Sequence, residues 1–224
     1  MLHKTKAISL QSMAFRDSSV IARFFTEKFG LQSFVVNGVR SARSRIPASL
    51  FQPMVPVDLI QYHDERKDLH RISEIKAASI LHNLPMHPAK AAMAMFVAEY
   101  LGRVLKDHLE NKPFFEFSLD WIHQLDGLQG GFESAHLGFV WHSFSYLGIS
   151  PEDWRRIPET VSGIASSSHP AIQEFLEAES SFSQLRLPSA GRQQLLDALV
   201  RYAGMQLEGM GELRSLSVLR QVFS

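Results

Sequence analysis

The stretch KTKAISLQSMAFRDSSVIARFFTEKFGLQSFVVNGV, residues 4–39, reads as three short β-strands separated by turns. Apolar and polar residues alternate over Lys4–Met13, Ser18–Thr26 and Gln32–Val39, the two-residue period of a half-buried strand, and no 3.6-residue stripe runs through them. Arg16-Asp17 and Lys28-Phe29-Gly30 punctuate the runs. Two further candidate strands follow, Phe51–Tyr62 after a Ser/Arg-rich stretch and Lys67–Lys76 after His63-Asp64-Glu65. Five short strands in so little chain favour a closed barrel, because closure removes the unpaired edges of an open sheet. An OB-like barrel is the leading arrangement and a small SH3-like barrel the alternative. Pro53 and Pro56 lack N–H donors, so the fourth strand is expected to bend or to lie at an edge there.

From Leu84-Pro85 onward the period changes. Met93, Phe96, Val97, Tyr100, Leu101, Val104 and Leu105 fall on one face of a helix that starts near Pro88. Further stripes follow at Trp121, Ile122, Leu125 and Leu128, then at Leu137, Val140, Phe144 and Leu147, stopped by Gly148 and Pro151. After a Ser-rich connector, Ser162–Ser168, come Ile172, Phe175 and Leu176, then Leu195 to Leu207, then Leu213 to Phe223. The fold class expected is therefore α+β, with a β-barrel domain over 1–78 and an all-α helical domain over 79–224.

The 224 residues carry a formal net charge of zero, and that average hides an asymmetry. Up to Lys76 there are 12 basic and 7 acidic residues; beyond it, 11 and 16. Within 1–45 the surplus sharpens to eight against two. A basic barrel raises the local concentration of phosphate and speeds encounter with a polyanion. There is no cysteine, which excludes disulfides, thiolate nucleophiles and cysteine zinc sites. No P-loop, GxGxxG, HExxH or GxSxG run occurs, and neither His82 and His87 nor His136 and His142 have ligand spacing on a helix. Nothing assembles an active site, no cofactor is expected, and the absence of a secretory leader or an 18-residue apolar run suggests a cytoplasmic protein.

The chemistry concentrates in Asn37-Gly38-Val39-Arg40-Ser41-Ala42-Arg43-Ser44-Arg45. Gly38 permits a positive φ or a bulge that re-aims the chain at the barrel rim. Arg40, Arg43 and Arg45 then offer guanidinium forks to successive phosphates, and Arg16, Arg23, Lys28, Lys4 and Lys6 extend the track. Such a cluster follows a nucleic-acid backbone without reading sequence. Phe24, Phe25, Phe34 and Phe51 are available for stacking on bases, but strand alternation turns about half of such residues inward, and none is assigned that role.

The order Ala7-Ile8-Ser9-Leu10, Asp17-Ser18-Ser19-Val20-Ile21, Phe25-Thr26-Glu27-Lys28-Phe29-Gly30, then Val36-Asn37-Gly38-Val39-Arg40 with Arg43-Ser44 and Leu50-Phe51-Gln52-Pro53, resembles the N-terminal half of bacterial RecO recombination mediators. The likeness continues through Glu99-Tyr100-Leu101 and Leu147-Gly148-Ile149-Ser150-Pro151, and thins between 152 and 205. The resemblance implies an N-terminal OB-fold, a helical domain and no enzymatic activity. It implies binding of single- and double-stranded DNA, strand annealing, and action with RecR to load RecA onto DNA coated with single-stranded-DNA-binding protein. Such a protein works on the nucleoid. The acidic, apolar tail of the single-stranded-DNA-binding protein would dock on the helical domain, with Arg103, Lys106 and Arg220 as the cations to meet it.

Two departures stand out. Asn37 occupies a position where the family commonly has Lys, which weakens one phosphate contact to a neutral hydrogen bond. Many relatives carry a four-cysteine zinc module, whereas this chain must close the corresponding region within 152–190 by packing or leave it mobile, so no metal is expected. The alternative to a DNA-binding mediator is an adaptor that contacts proteins only.

Overall fold

A computed structural model describes residues 2–41, 44–64, 66–152, 157 and 169–223. Its first part is built from β1 (Leu2–Phe15), β2 (Ser19–Thr26), β3 (Gly30–Val36), β4 (Pro56–Tyr62) and β5 (Leu69–Ala77). These close into a barrel in the order β1-β2-β3-β5-β4. β1 is long enough to serve two partners: Leu2 to Ile8 pair with β4, and Ala7 to Phe15 pair with β2, with a bulge between Ser9 and Gln11. β3 and β5 run parallel. The barrel is an OB-fold.

The interior follows the two-residue period. Val20, Ala22 and Phe24 of β2 face Phe34 and Val36 of β3 and Val57 and Leu59 of β4. Leu50 and Phe51 plug this core from a short 3-10 helix, Ala48–Phe51, and the Phe51 ring meets Phe24 edge-on at 6.0 Å. The fourth strand is thus shorter than the sequence suggests. Its expected first residues form the 3-10 helix and a turn through Pro53 and Met54, whose φ is 61°. Pro56 is the first strand residue, the position where a missing N–H is tolerated. The third strand stops at Val36 because Gly38, at φ 74°, turns the chain away.

The second core begins on the outside of the barrel. Ile8, Leu10, Phe25, Leu31 and Met54 point outward and merge with the helical residues into one apolar cluster. Phe25 meets Phe114 and Phe115 at ring-centroid distances of 5.9 and 5.4 Å. Helix α1 (Pro88–Val104) lies between barrel and helices and is buried well beyond the stripe expected of it, with Ala92, Ala94 and Ala98 also inside. Small side chains let both neighbours approach.

Five helices follow, α2 (Lys112–Gly127), α3 (Ala135–Leu147), α4 (His169–Glu177), α5 (Ser189–Gln206) and α6 (Ser215–Val222); α3 and α6 pack against α1, and α2, α4 and α5 pack against α3. Asn111 caps α2 by accepting from the Phe114 amide at 3.1 Å. Gly148, at φ 70°, ends α3 as its position predicts. The described part of 152–190 is packed: Ile172, Phe175, Leu176 and Leu185 enter the core, and the Ser181 backbone rests on Gly138, where a Cβ would come within 2.2 Å of the carbonyl oxygen. Trp154 and the Ser162–Ser168 connector lie outside the described residues.

A polar knot ties the barrel exit to the helices. The Asp126 carboxylate accepts from the amides of His82, Asn83 and Leu84 at 3.1, 2.8 and 2.7 Å. Burial opposes its charge, and those three hydrogen bonds outweigh it and hold the carboxyl below its ordinary range. Lys90, also buried, donates to the carbonyls of Asp126 and Leu128 at 3.1 and 2.6 Å. Among the described residues no helix is long and apolar enough to cross a membrane.

Candidate nucleic-acid interface

The barrel face outside both cores is ordered by strand register. Met13 pairs with Ile21, Ile21 with Val35, Val35 with Arg71, and Arg71 with Tyr62. One row thus crosses all five strands with every side chain directed outward. Met13 and Tyr62 are more than half exposed, and Leu69 in the adjoining row is 42% exposed.

Cations border this row at both ends. Arg16 tips the β1–β2 hairpin with φ 52°, a left-handed conformation that disfavours a side-chain-bearing residue, and its guanidinium lies 5.0 Å from the Phe15 ring centroid. Arg40 is fastened beside it: its amide donates to the Ser18 carbonyl at 2.9 Å and its guanidinium to the Arg16 carbonyl at 3.3 Å. Asn37 is engaged locally, its Oδ1 accepting from the Ser19 hydroxyl at 3.0 Å, so it anchors the start of the arginine loop to β2.

From the other side come Lys67 and Arg71. With Phe15, Arg16, Asn37 and His70 they line a groove of about 370 Å³ with no carboxylate among the described residues that line it. A second groove of about 280 Å³ continues past Tyr62, His63 and Asp64 and shares Lys67 and Arg71 with the first. Asp64 is occupied by ion pairs to Arg66 at 3.3 Å and Lys67 at 3.7 Å.

The expected track is therefore divided. Arg16 and Arg40 come together, Arg45 is exposed further along the loop, and Arg43 lies outside the described residues. Arg23 turns toward the helices, donating to the Gly102 carbonyl at 3.3 Å and pairing with Asp107 at 3.5 Å. Lys28 sits in the β2–β3 turn, at the far end of a strand roughly 25 Å long from Arg16. Lys67 and Arg71 carry no local motif. Only the parallel β3–β5 pairing, which sets Val35 beside Arg71, brings them to the arginine loop.

Beside the grooves four histidines from separate segments cluster, with His63 and His70 stacked and His3 and His108 meeting them edge-on. The His63 ring lies 4.0 Å from Phe29 and 5.2 Å from His70; His3 and His108 flank them at 5.9 Å from His63 and 5.8 Å from His70 respectively. Burial, then the neighbouring His63 and His108, hold His70 below the ordinary histidine range. Among the described residues no group of His, Asp and Glu is placed to hold a metal ion.

A separate cleft of about 510 Å³ opens between the barrel, α1 and α6. Leu10, Pro53, Met95 and Val218 supply apolar walls, and Arg103 and Arg214 stand at its rim with Glu99. Glu99 accepts from the amides of Arg214 and Ser215 at 3.0 and 2.8 Å, fastening the start of α6 to α1. Lys106 is exposed and lies outside the lining. Arg220 points to the other side of α6, where it pairs with Asp197 at 2.7 Å.

A family model described as "Recombination protein O N terminal" matches residues 1–81, the barrel and its exit. Over its whole length the chain is similar to the DNA repair protein RecO of Phocaeicola vulgatus, at 30% identity over 244 residues covering 100% of both chains. The chain belongs to the RecO family. The RecO of Flavobacterium psychrophilum is 30% identical over 99% of each chain, and that of Bacteroides fragilis 34% identical over 67% of this chain and 62% of its own. The structure divides the RecO-like motifs by task. In Phe25-Thr26-Glu27-Lys28-Phe29-Gly30 the Phe25 ring joins the helical core, the Thr26 hydroxyl donates to the Gly30 carbonyl at 2.9 Å, and Gly30 lies against the Leu109 backbone. That motif builds the barrel–helix junction. The Gly38-Val39-Arg40 motif instead buries Val39 in the barrel core and presents Arg40 at the groove.

Proposed function

We propose that this RecO-family protein is a recombination mediator without catalytic chemistry of its own. It binds single- and double-stranded DNA, anneals complementary strands and, with RecR, helps load RecA onto DNA coated with single-stranded-DNA-binding protein, working on the cytoplasmic nucleoid. The barrel, 1–78, holds DNA, and the helical part, 79–224, receives partners.

The observation that carries this reading is the groove lined by Arg16, Lys67 and Arg71, with no carboxylate among its described lining residues and Arg40 fastened at its edge. Cations spaced along an open groove bind a phosphate backbone without reading bases, and binding of that kind weakens as salt rises. Arg45 and Arg43 extend the contact along the loop. Arg23 and Lys28 contribute to the overall positive field rather than to this groove. The cleft at Arg103 and Arg214 has the chemistry for an acidic, apolar peptide tail: cations at the rim and apolar walls beneath. Lys106 adds positive charge nearby, and Arg220 plays a minor part because Asp197 already holds it.

The test is annealing of complementary oligonucleotides coated with single-stranded-DNA-binding protein, at two salt concentrations. The wild-type protein is compared with an Arg40/Arg43/Arg45→Ala variant that retains its fold. Salt-sensitive annealing that collapses in the variant supports the mediator. No annealing by the wild-type protein at either salt supports a protein-only adaptor instead. Arg103→Glu is expected to weaken binding of an acidic, aromatic-ended tail peptide at least about tenfold, as loss of a charge-assisted contact does; unchanged affinity removes the cleft from the proposal.

A further inference from the structure

We propose that Tyr62 is a base-stacking residue for single-stranded nucleic acid, with Arg71 and Lys67 holding the phosphates beside it. This rests on the DNA-binding reading of the barrel and adds to it the place where a base is gripped.

The aromatics singled out from the sequence are unavailable to a ligand: Phe24, Phe25 and Phe34 are 0% exposed and Phe51 4%. Among the described residues Tyr62 is the one aromatic side chain that is mainly exposed, at 54%. Its hydroxyl forms no hydrogen bond to a described residue, so no polar contact within the barrel accounts for a tyrosine there. Across the strands it stands between Leu2 of β1 and Arg71 of β5. The Arg71 guanidinium likewise makes no hydrogen bond or ion pair among the described residues.

Cross-strand neighbours lie about 5 Å apart, which brings the phosphate of a base stacked on Tyr62 within reach of Arg71. Lys67 and Arg71 line both grooves, so a strand leaving Tyr62 passes along cations toward Arg16 and Arg40 without a break. Among the described residues that line this path the carboxylate is Asp64, which is held by the Arg66 amide and guanidinium at 3.2 and 3.3 Å. An unpaired base is the occupant that fits, because stacking on an aromatic face needs a base outside a duplex, whereas the flanking cations serve any phosphate backbone.

The full-length protein is titrated with oligo(dT), an abasic strand of equal length, and a duplex. Wild-type protein prefers oligo(dT) to the abasic strand. Tyr62→Ala lowers oligo(dT) affinity by about 5- to 150-fold, the range for loss of one stacked base. The same variant leaves abasic and duplex binding unchanged. Tyr62→Phe, which keeps the ring, retains the preference. Arg71→Gln weakens all three ligands and lowers the salt slope for single strands by about 0.7. If wild-type protein binds DNA and Tyr62→Ala binds oligo(dT) as tightly, the stacking assignment is overturned while the DNA-binding reading stands. Loss of RecR binding with unchanged oligo(dT) affinity overturns it too and makes this face a protein contact. If wild-type protein binds none of the three, the reading beneath it falls.

Discussion

Arg16 occupies a backbone conformation that a glycine would adopt at lower energy, since a left-handed L-residue carries a penalty of roughly 1–2 kcal/mol. Among the described residues its side chain has no hydrogen bond or ion pair; it lies over the Phe15 ring and stands at the mouth of the basic groove. Strain retained at an exposed cation is the pattern of a residue kept for what it binds. Arg16→Gly is expected to leave stability within about 1 kcal/mol of wild type, because relief of strain offsets the added freedom of the unfolded chain. DNA affinity should fall and its salt dependence flatten. Thermal melts together with binding at two salt concentrations separate the two effects, and a variant that binds as wild type removes Arg16 from the interface.

At the scale of elements, the β2–β3 turn is the hinge pin between the barrel and the helices. Gly30 has φ 62°, and a Cβ there would come within 2.1 Å of the Leu109 carbonyl oxygen, which is backbone and cannot swing aside. Gly30→Ala should destabilise by at least about 2 kcal/mol, from left-handed strain plus overpacking. The measurement is urea unfolding, and a loss below half that value would mean the 105–110 connection yields easily. The glycine of the arginine loop is different in kind. Gly38 has φ 74° but open space around it, so its requirement is conformational alone. The two glycines therefore answer unequal constraints, one steric and conformational and the other conformational alone.

For the whole molecule, several buried titratable groups press stability in the same direction. His136 is enclosed against Phe96 and Phe223, and burial pushes it from 6.5 down to about 3. The folded state therefore keeps it neutral while the unfolded chain takes up a proton below 6.5, so its contribution is full above that pH. It declines by up to about 1.4 kcal/mol per pH unit as pH falls toward 3. His70 and His142 are also held low, chiefly by burial, and act with the same sign. Glu99 and Asp126 are held below their ordinary values by hydrogen bonds that outweigh burial, so their stabilisation is present at neutral pH and is lost as pH falls through their folded values. The midpoint of thermal unfolding should drop between pH 7 and pH 5. His136→Leu should flatten that slope, whatever it does to stability at pH 7, and an unchanged slope would assign the acid sensitivity elsewhere.

The chain by itself determined the two textures and their order. Strand alternation and helical stripes depend on neighbours within a few residues, and the side chains they mark inward, such as Phe24, Phe34, Trp121 and Phe144, are buried in the structure. The stop at Gly148 and the positive φ at Gly38 were legible for the same reason, since φ is a property of one residue and its immediate chain, whereas the end of β3 at Val36, short of the expected Val39, was not. The family, too, was legible, because its motifs are local runs. Only the tertiary structure decided which cations share a surface. Arg23 and Arg16 lie on neighbouring stretches of one hairpin, yet one meets the helices and the other a groove. Lys67 and Arg71 reach that groove from far along the chain through the β3–β5 pairing, Arg214 joins Arg103 through the capping of α6 by Glu99, and four histidines with no common spacing cluster at one place. Register and barrel closure set these meetings, and they are fixed by packing among strands distant in sequence, which no local pattern records.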